Sequence, residues 1–185
     1  MRLQNKVKQS VYQHLDNHIS RFKVKSCLDC IPNCGRCCII SDTEATVLEF
    51  LPAAYELYLA GENEIILKNL EHQTDSICVF YNPFGRNGFC SNFVHRGLVC
   101  RLFGFSTRTD KYGNRILVTC NEIKRTIQSD SLGQYINRAP EMSSYYLRLY
   151  STDPILSIQY FPVNESIRKT LNNTMLDFQY RIIRA

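Results

Sequence analysis

Five of the chain's nine cysteines fall within twelve residues, Cys27-Leu28-Asp29-Cys30-Ile31-Pro32-Asn33-Cys34-Gly35-Arg36-Cys37-Cys38. No other stretch constrains the fold as strongly. The other four, Cys78, Cys90, Cys100 and Cys120, stand far apart, with 11, 9 and 19 residues between successive members. A chain this rich in thiols either pairs them as disulfides or gives them to a metal. The first ten residues are polar and basic, unlike a secretory signal, and no run nears the roughly 18 apolar residues of a membrane span. The sequence therefore reads as cytoplasmic and unattached to a membrane, where thiols stay reduced and clustered cysteines bind metal. An odd cysteine count and the adjacency of Cys37 and Cys38 also suit a disulfide framework poorly.

Cys30-x3-Cys34-x2-Cys37 presents three ligands from one tight loop, and Pro32, Asn33 and Gly35 supply the turns such a loop needs. The fourth ligand could be Cys27, Cys38 or a distant cysteine. Thiolates favour tetrahedral zinc or iron, including a 4Fe-4S cluster. Eight thiolates permit two four-ligand centres, with Cys37 and Cys38 each serving a different one, or one centre plus free thiols. Metal also changes the charge. A zinc with four thiolates carries a net −2, so two such centres would take the formal +5 down to +1. The basic balance is thus weak evidence for a nucleic-acid partner.

At 185 residues the chain is expected to form one domain, with a cysteine-bearing core over 27–125 and packing helices over 1–22 and 139–183. The expected class is mainly α with a small β-hairpin, the terminal helices packing around a loop-rich centre. Val7, Val11, Leu15, Ile19 and Phe22 give the first helix its apolar stripe. His14 and His18, four apart on it, could reach one metal, but the segment lacks the glutamate of a zinc-protease motif. Ser41-Asp42-Thr43-Glu44 has capping-box spacing and predicts a helix to about Phe50. Pro52 fits the first turn of a helix stopped by Gly61, and a short helix follows over 64–70. Leu102–Thr107 and Ile116–Thr119 read as strands joined through Asp110–Asn114, an arrangement that brings Cys100 near Cys120. Met142, Tyr145, Tyr146, Leu149 and Tyr150 follow helical spacing. Ile167, Leu171, Met175, Phe178 and Ile182 do so in the last helix, for which Asn164 is a candidate N-cap.

The cysteines and their neighbours carry a resemblance. Cys30-x3-Cys34-Gly35-Arg36-Cys37-Cys38 resembles the signature of the YkgJ-type cysteine-cluster family, the CxxCxxCC zinc- or iron-chelating domain. Cys78-Val79-Phe80, Gly88-Phe89-Cys90, the Arg96–Phe103 block around Cys100, and Cys120 continue its pattern in order, covering about residues 27–125. The resemblance implies metal ligation by Cys30, Cys34, Cys37, Cys38, Cys78, Cys90, Cys100 and Cys120, with Cys27 accessory. The first gap is three residues rather than two, Gly97 replaces the usual Pro, and Gly104 stands where Pro often follows Phe103. Arg96 and Arg101 flank Cys100 and are candidates to offset thiolate charge from outside the ligand set. His95 is a possible substitute ligand.

The expected function is a metal-binding module holding zinc or an iron–sulfur centre, structural or handling metal for a client protein. A metal-dependent enzyme is the alternative, by redox chemistry or by methyl transfer, since a flagellin lysine methylase carries a similar motif. No phosphate or dinucleotide loop, nucleophile elbow or S-adenosylmethionine loop supports it. The three-cysteine pattern of radical S-adenosylmethionine enzymes also matches, but Arg36 stands at the usual aromatic position and the chain has no βα repeat. A zinc-based nucleic-acid module is a second alternative. It lacks finger spacing and a basic stripe.

Overall fold

The computed structural model describes residues 2–183 except 33, 41–42, 85–87, 128–132 and 134, with side chains described to residue 180. The N-terminal helix starts as α over Leu3–Lys6, widens to a π-helix over Val7–Tyr12 and continues as α over Gln13–Ser26. Its apolar residues recur every four positions. On a 3.6-residue helix that spacing drifts around the axis, and a wider turn holds it on one face. Val7, Val11 and Leu15 are accordingly fully buried. The helix ends at Cys27, whose φ of 55° is the one positive value at a non-glycine residue among those described.

The segment after the cysteine loop differs from expectation. Ser41 and Asp42 lie outside the described residues. Glu44–Thr46 is a strand, paired antiparallel with Tyr160–Pro162. The capping box sits one turn later. Thr46 N–H donates to the Glu49 carboxylate at 2.8 Å, and a 3-10 turn over Val47–Phe50 runs into the helix Leu51–Ala60. Both Ser41 and Thr46 have a glutamate three residues on. Long-range pairing of residues 44–46 selects the second, and it lets Ala45 through Phe50 bury. Pro52 lies in the helix's first turn and Gly61 ends it at φ 74°, as expected. A further helix covers Asn63–His72.

This central segment stands between two cores. On one side the N-terminal helix, Leu48, Leu98, Leu102 and the helix Met142–Thr152 bury Leu15, Phe22 and Leu149. On the other, Ala45, Phe50 and Ala54 meet Phe80 and the long C-terminal helix Val163–Ile183 through Ile167 and Leu171. The terminal helices are thus joined through Val47–Ala60. A buried hydroxyl row on the C-terminal helix, Ser166, Thr170 and Thr174, ties the seam. Ser166 donates to Ala45 O at 2.7 Å and Thr170 to Val47 O at 2.8 Å. Asn164 lies inside this helix and does not cap it. In the helix Met142–Thr152, Tyr145 and Leu149 are buried, while Tyr150 is exposed. Met175 and Phe178 are half-buried, and the Ile182 side chain lies outside the described residues.

The hairpin pairs Ser106–Thr109 with Arg115–Val118, Ser106 opposite Val118. It is shorter at its start than expected. Leu98–Leu102 is a helical turn that fully buries Leu98 and Leu102, and Gly104 at φ 101° redirects the chain into the strand. Two-residue strands, Tyr81–Asn82 and Phe89–Cys90, complete the β structure among the described residues.

Candidate metal centre

The cysteine loop is fixed from both ends. Leu28 is buried in the core. Gly35 lies against the 81–90 pair so closely that a Cβ there would meet Tyr81 Cε2 at 2.7 Å and Phe89 N at 2.8 Å. Gly88, at φ 61°, faces the same ring. Beyond Gly35, a 3-10 turn over Arg36–Ile39 carries Cys37 and Cys38. Cys37 and Cys38 both line a cavity beside this turn.

Four other segments bring the remaining thiols. Cys78 N–H donates to Cys38 O at 2.8 Å, so the two backbones touch. Asn164 grips the same loop, accepting from Val79 N–H at 2.9 Å and donating to Ile77 O at 2.7 Å. Cys90 lies opposite Tyr81 in the short ladder. Cys100 sits on the Leu98–Leu102 turn and not at a strand start. Cys120 caps the helix Asn121–Thr126, its Sγ accepting from Ile123 N–H at 3.5 Å. An ion pair of 3.4 Å from Arg36 to Glu122 ties this helix to the cysteine loop.

The thiols fall into two neighbourhoods. Cys37, Cys38, Cys78, Cys90 and Cys100 line one cavity, and Cys38 interacts electrostatically with Cys37, Cys78 and Cys90. Cys100 feels the charges of Cys78 and Cys37. Cys30 bonds to Cys34 and feels Cys120 and Cys37. Cys37 lies between the two, while Cys27 is exposed and enters neither. The hairpin leaves Cys100 on the turn before Gly104 and Cys120 at the start of the helix Asn121–Thr126. Cys120 goes with the loop cysteines. Among the described residues no group of three or more His, Cys, Asp or Glu side chains is placed so that it could hold a metal ion. A set of soft sulfur donors fits zinc or iron and little else of biological abundance.

The site's electrostatics separate its members. A hydrogen bond from Cys38 draws the Cys37 thiol down to about 6, Arg96 helping against partial burial, while the donor Cys38 is pushed far up. Burial raises Cys100 well above the usual thiol range. Shielding of its sulfur takes Cys30 to about 11, with the fields of Cys34 and Cys120 adding. Arg96, stacked on Phe93 with its Cζ 3.7 Å from the ring centre, favours the charged forms of Cys37, Cys90 and Cys100. Arg101 turns the other way. It lies over the Tyr12 ring, pairs with Asp16, and bonds Val94 O and Arg96 O, so it anchors the loop that carries Arg96. His95 shares the Arg101 side, in a cleft with Lys8. His14 and His18 both bond Tyr145.

The sequence reading missed three contributors. Glu49, fully buried, accepts from Val99 N–H at 2.7 Å and so braces the turn bearing Cys100. Burial outweighs these bonds and raises its carboxyl to about 7. A lone acid in the apolar run Val47-Leu48-Glu49-Phe50-Leu51 was the available signal. Asn164 and Gly35 are the others, and their contacts are too distant in sequence to signal themselves. Gly97 holds φ at −61°, a value a proline would enforce, whereas Gly104 at 101° excludes proline. The cavity, of about 290 Å³, adjoins Cys37, Cys38, Cys78, Cys90 and Cys100, and Phe50, Phe80 and Val163 also line it.

A helical scaffold that gathers eight cysteines from distant segments defines a cysteine-cluster protein. The family model described as "CxxCxxCC: Putative zinc- or iron-chelating domain" matches residues 29–121, half of the chain, and the chain belongs to that family. No curated protein sequence and no solved structure matches it. No helix among the described residues is long and apolar enough to cross a membrane.

Proposed function

We propose that the protein holds zinc or an iron–sulfur centre on two thiol sets, as a structural or metal-handling module of a reducing, cytoplasmic compartment. Cys38, Cys78, Cys90 and Cys100 form one set; Cys30, Cys34, Cys37 and Cys120 form the other. The observation that carries this reading is the convergence of Cys37, Cys38, Cys78, Cys90 and Cys100, from separate chain segments, on one cavity, with Cys78 N–H bonded to Cys38 O. Reduced thiols held together through long-range folding are what a soft metal requires. Arg96 offsets part of the negative charge that bound thiolates bring, and Cys27 stands outside the ligands. Anaerobic purification with metal analysis tests the reading. Zinc gives a colourless protein, and iron–sulfur gives visible absorbance with acid-labile sulfide. Cys38→Ser and Cys30→Ser should each halve the metal content, and Cys27→Ser should leave it unchanged. Loss of all metal in both of the first two would refute the two-set division. Paired disulfides without metal would refute the whole reading.

The cavity beside the thiols favours a second use, an enzyme acting at the centre by redox chemistry or methyl transfer. Titration calorimetry with S-adenosylmethionine tests the methyl-transfer form, and an absence of binding removes it. The residues described offer no comparable support for a nucleic-acid module or for a specific client protein.

A further inference from the structure

The His14–His18 pair is the one sequence motif the thiol centre does not use. Both Nδ1 atoms lie on the hydroxyl of buried Tyr145, at 3.1 Å and 2.9 Å, and His18 Nε2 lies 3.0 Å from Arg138 O. Chemistry fixes the hydrogens. A carbonyl only accepts, so His18 Nε2 carries the hydrogen, and neutral His18 offers a lone pair at Nδ1. Tyr145 O–H donates to it. The phenol oxygen then accepts from His14 Nδ1–H. Exposed His14 is left with Nε2 as the ring atom able to take a proton and turn it toward a ligand.

The charged groups that act on His18 and Tyr145 are cations, and Glu141 pairs with one of them, Arg115. Arg21, seven residues after His14 on the same helix face, acts on both His18 and Tyr145. Arg148, one turn after Tyr145 on the facing helix, places its Cζ 5.9 Å from that ring's centre. Arg115 also acts on His18, but Glu141 already pairs with it at 3.2 Å. Arg21 gives its Nε to Asn17 O and joins no ion pair among the described residues; neither does Arg148. The nearest carboxylate along the helix, Asp16, pairs with Arg101. Like charges gathered without a counter-ion repel, and a dianion between them reverses the sign of every pair. Guanidinium forks match the oxygen spacing of phosphate.

We propose that the seam between the N-terminal helix and the helix Met142–Thr152 is a binding site for a small phosphate-class dianion, contacted by His14, Arg21 and Arg148. Tyr145 and His18 hold the His14 ring in the orientation and tautomer that leave Nε2 outward. Two guanidiniums and one imidazole match a single phosphate or pyrophosphate group better than an extended nucleic-acid backbone.

The test is titration calorimetry of the purified, metal-loaded protein with pyrophosphate and with inorganic phosphate at about 50 mM salt. One saturable site is expected, with the same variants weakening both probes. Arg21→Gln and Arg148→Gln should each lower pyrophosphate affinity about tenfold, the loss of one charge-assisted contact. Both residues are exposed, so the melting temperature should hold. Arg168→Gln, on the C-terminal helix, should change nothing. Absence of saturable binding overturns the proposal. So does an equal loss in all three variants, which would report net charge alone. Displacement of pyrophosphate by a lower concentration of a short single-stranded oligonucleotide would overturn the small-anion assignment in favour of nucleic acid.

Discussion

The scaffold and the cysteine segments are built by different means. Val7, Leu15, Leu48, Leu98, Leu149 and Leu171 are buried to 1% exposure or less, on helices of up to 21 residues. The thiol-bearing segments use a four-residue 3-10 turn, two-residue strands and single side-chain clamps such as Asn164. None of the nine cysteines is fully buried. Apolar burial alone can order the first region. The second has less of it, through Leu28, Phe80, Leu98 and Leu102, so what the sulfurs bind is expected to supply part of its stability.

Metal removal should therefore divide the molecule, and this is the largest effect expected. Apparent zinc-site energies of about 10 kcal/mol or more are coupled to local folding. After chelation, hydrogen exchange should rise by orders of magnitude across residues 34–40 and 77–92, while the helices Met142–Thr152 and Val163–Ile183 keep their protection. Uniform loss throughout would break the comparison by making the scaffold metal-dependent too. The converse experiment acts on the other region. Leu149→Ala removes a fully buried side chain and should cost about 2–5 kcal/mol in denaturant unfolding. The folded fraction should retain its metal.

The two regions also differed in how far sequence revealed them. Local patterns located the helices: the four-residue stripe from Val7, Pro52 ahead of Gly61, the spacing through Tyr145 and Leu149. Order and neighbours identified the cysteines. Wherever a long-range partner decides, local reading failed. Ser41 and Thr46 head equally good capping boxes, and the choice depends on a strand more than a hundred residues away. Leu98–Leu102 has strand-like composition but is a helical turn because Leu98 and Leu102 face a core assembled elsewhere. Arg96 and Arg101 are alike in sequence, yet one faces the sulfurs and the other faces Asp16.

Close contacts at glycine offer a mid-sized test within the cysteine region. A Cβ at Gly88 would stand 2.4 Å from the Tyr81 hydroxyl, at a φ of 61° that L residues rarely adopt. Gly61 has a similar φ but nothing within 4 Å. Gly61→Ala should thus cost about 1–2 kcal/mol, the left-handed penalty alone. Gly88→Ala should cost more and also lower metal content, because Tyr81 must move and Cys90 pairs with it. Equal costs with metal intact would mean that the short ladder does not position Cys90.

The smallest effect lies in the scaffold and is pH-dependent. His18 titrates below the usual imidazole range, through burial first and then the fields of Arg21, His14 and Arg115 against the bond to Arg138 O. Its folded form thus binds fewer protons than the unfolded chain between the two titration points. That makes its stabilising contribution complete above about pH 7, near the free imidazole value, and progressively lost as pH falls below it. Protonation would point an Nδ1–H at the Tyr145 hydroxyl, which must then turn its own hydrogen away. Metal release by proton competition acts in the same direction, so the measurement is a difference. Unfolding free energies of the wild type and His18→Gln, compared from pH 5.5 to 8, should converge at the acid end. A gap that stays constant across the range would mean the His18–Tyr145 bond survives protonation.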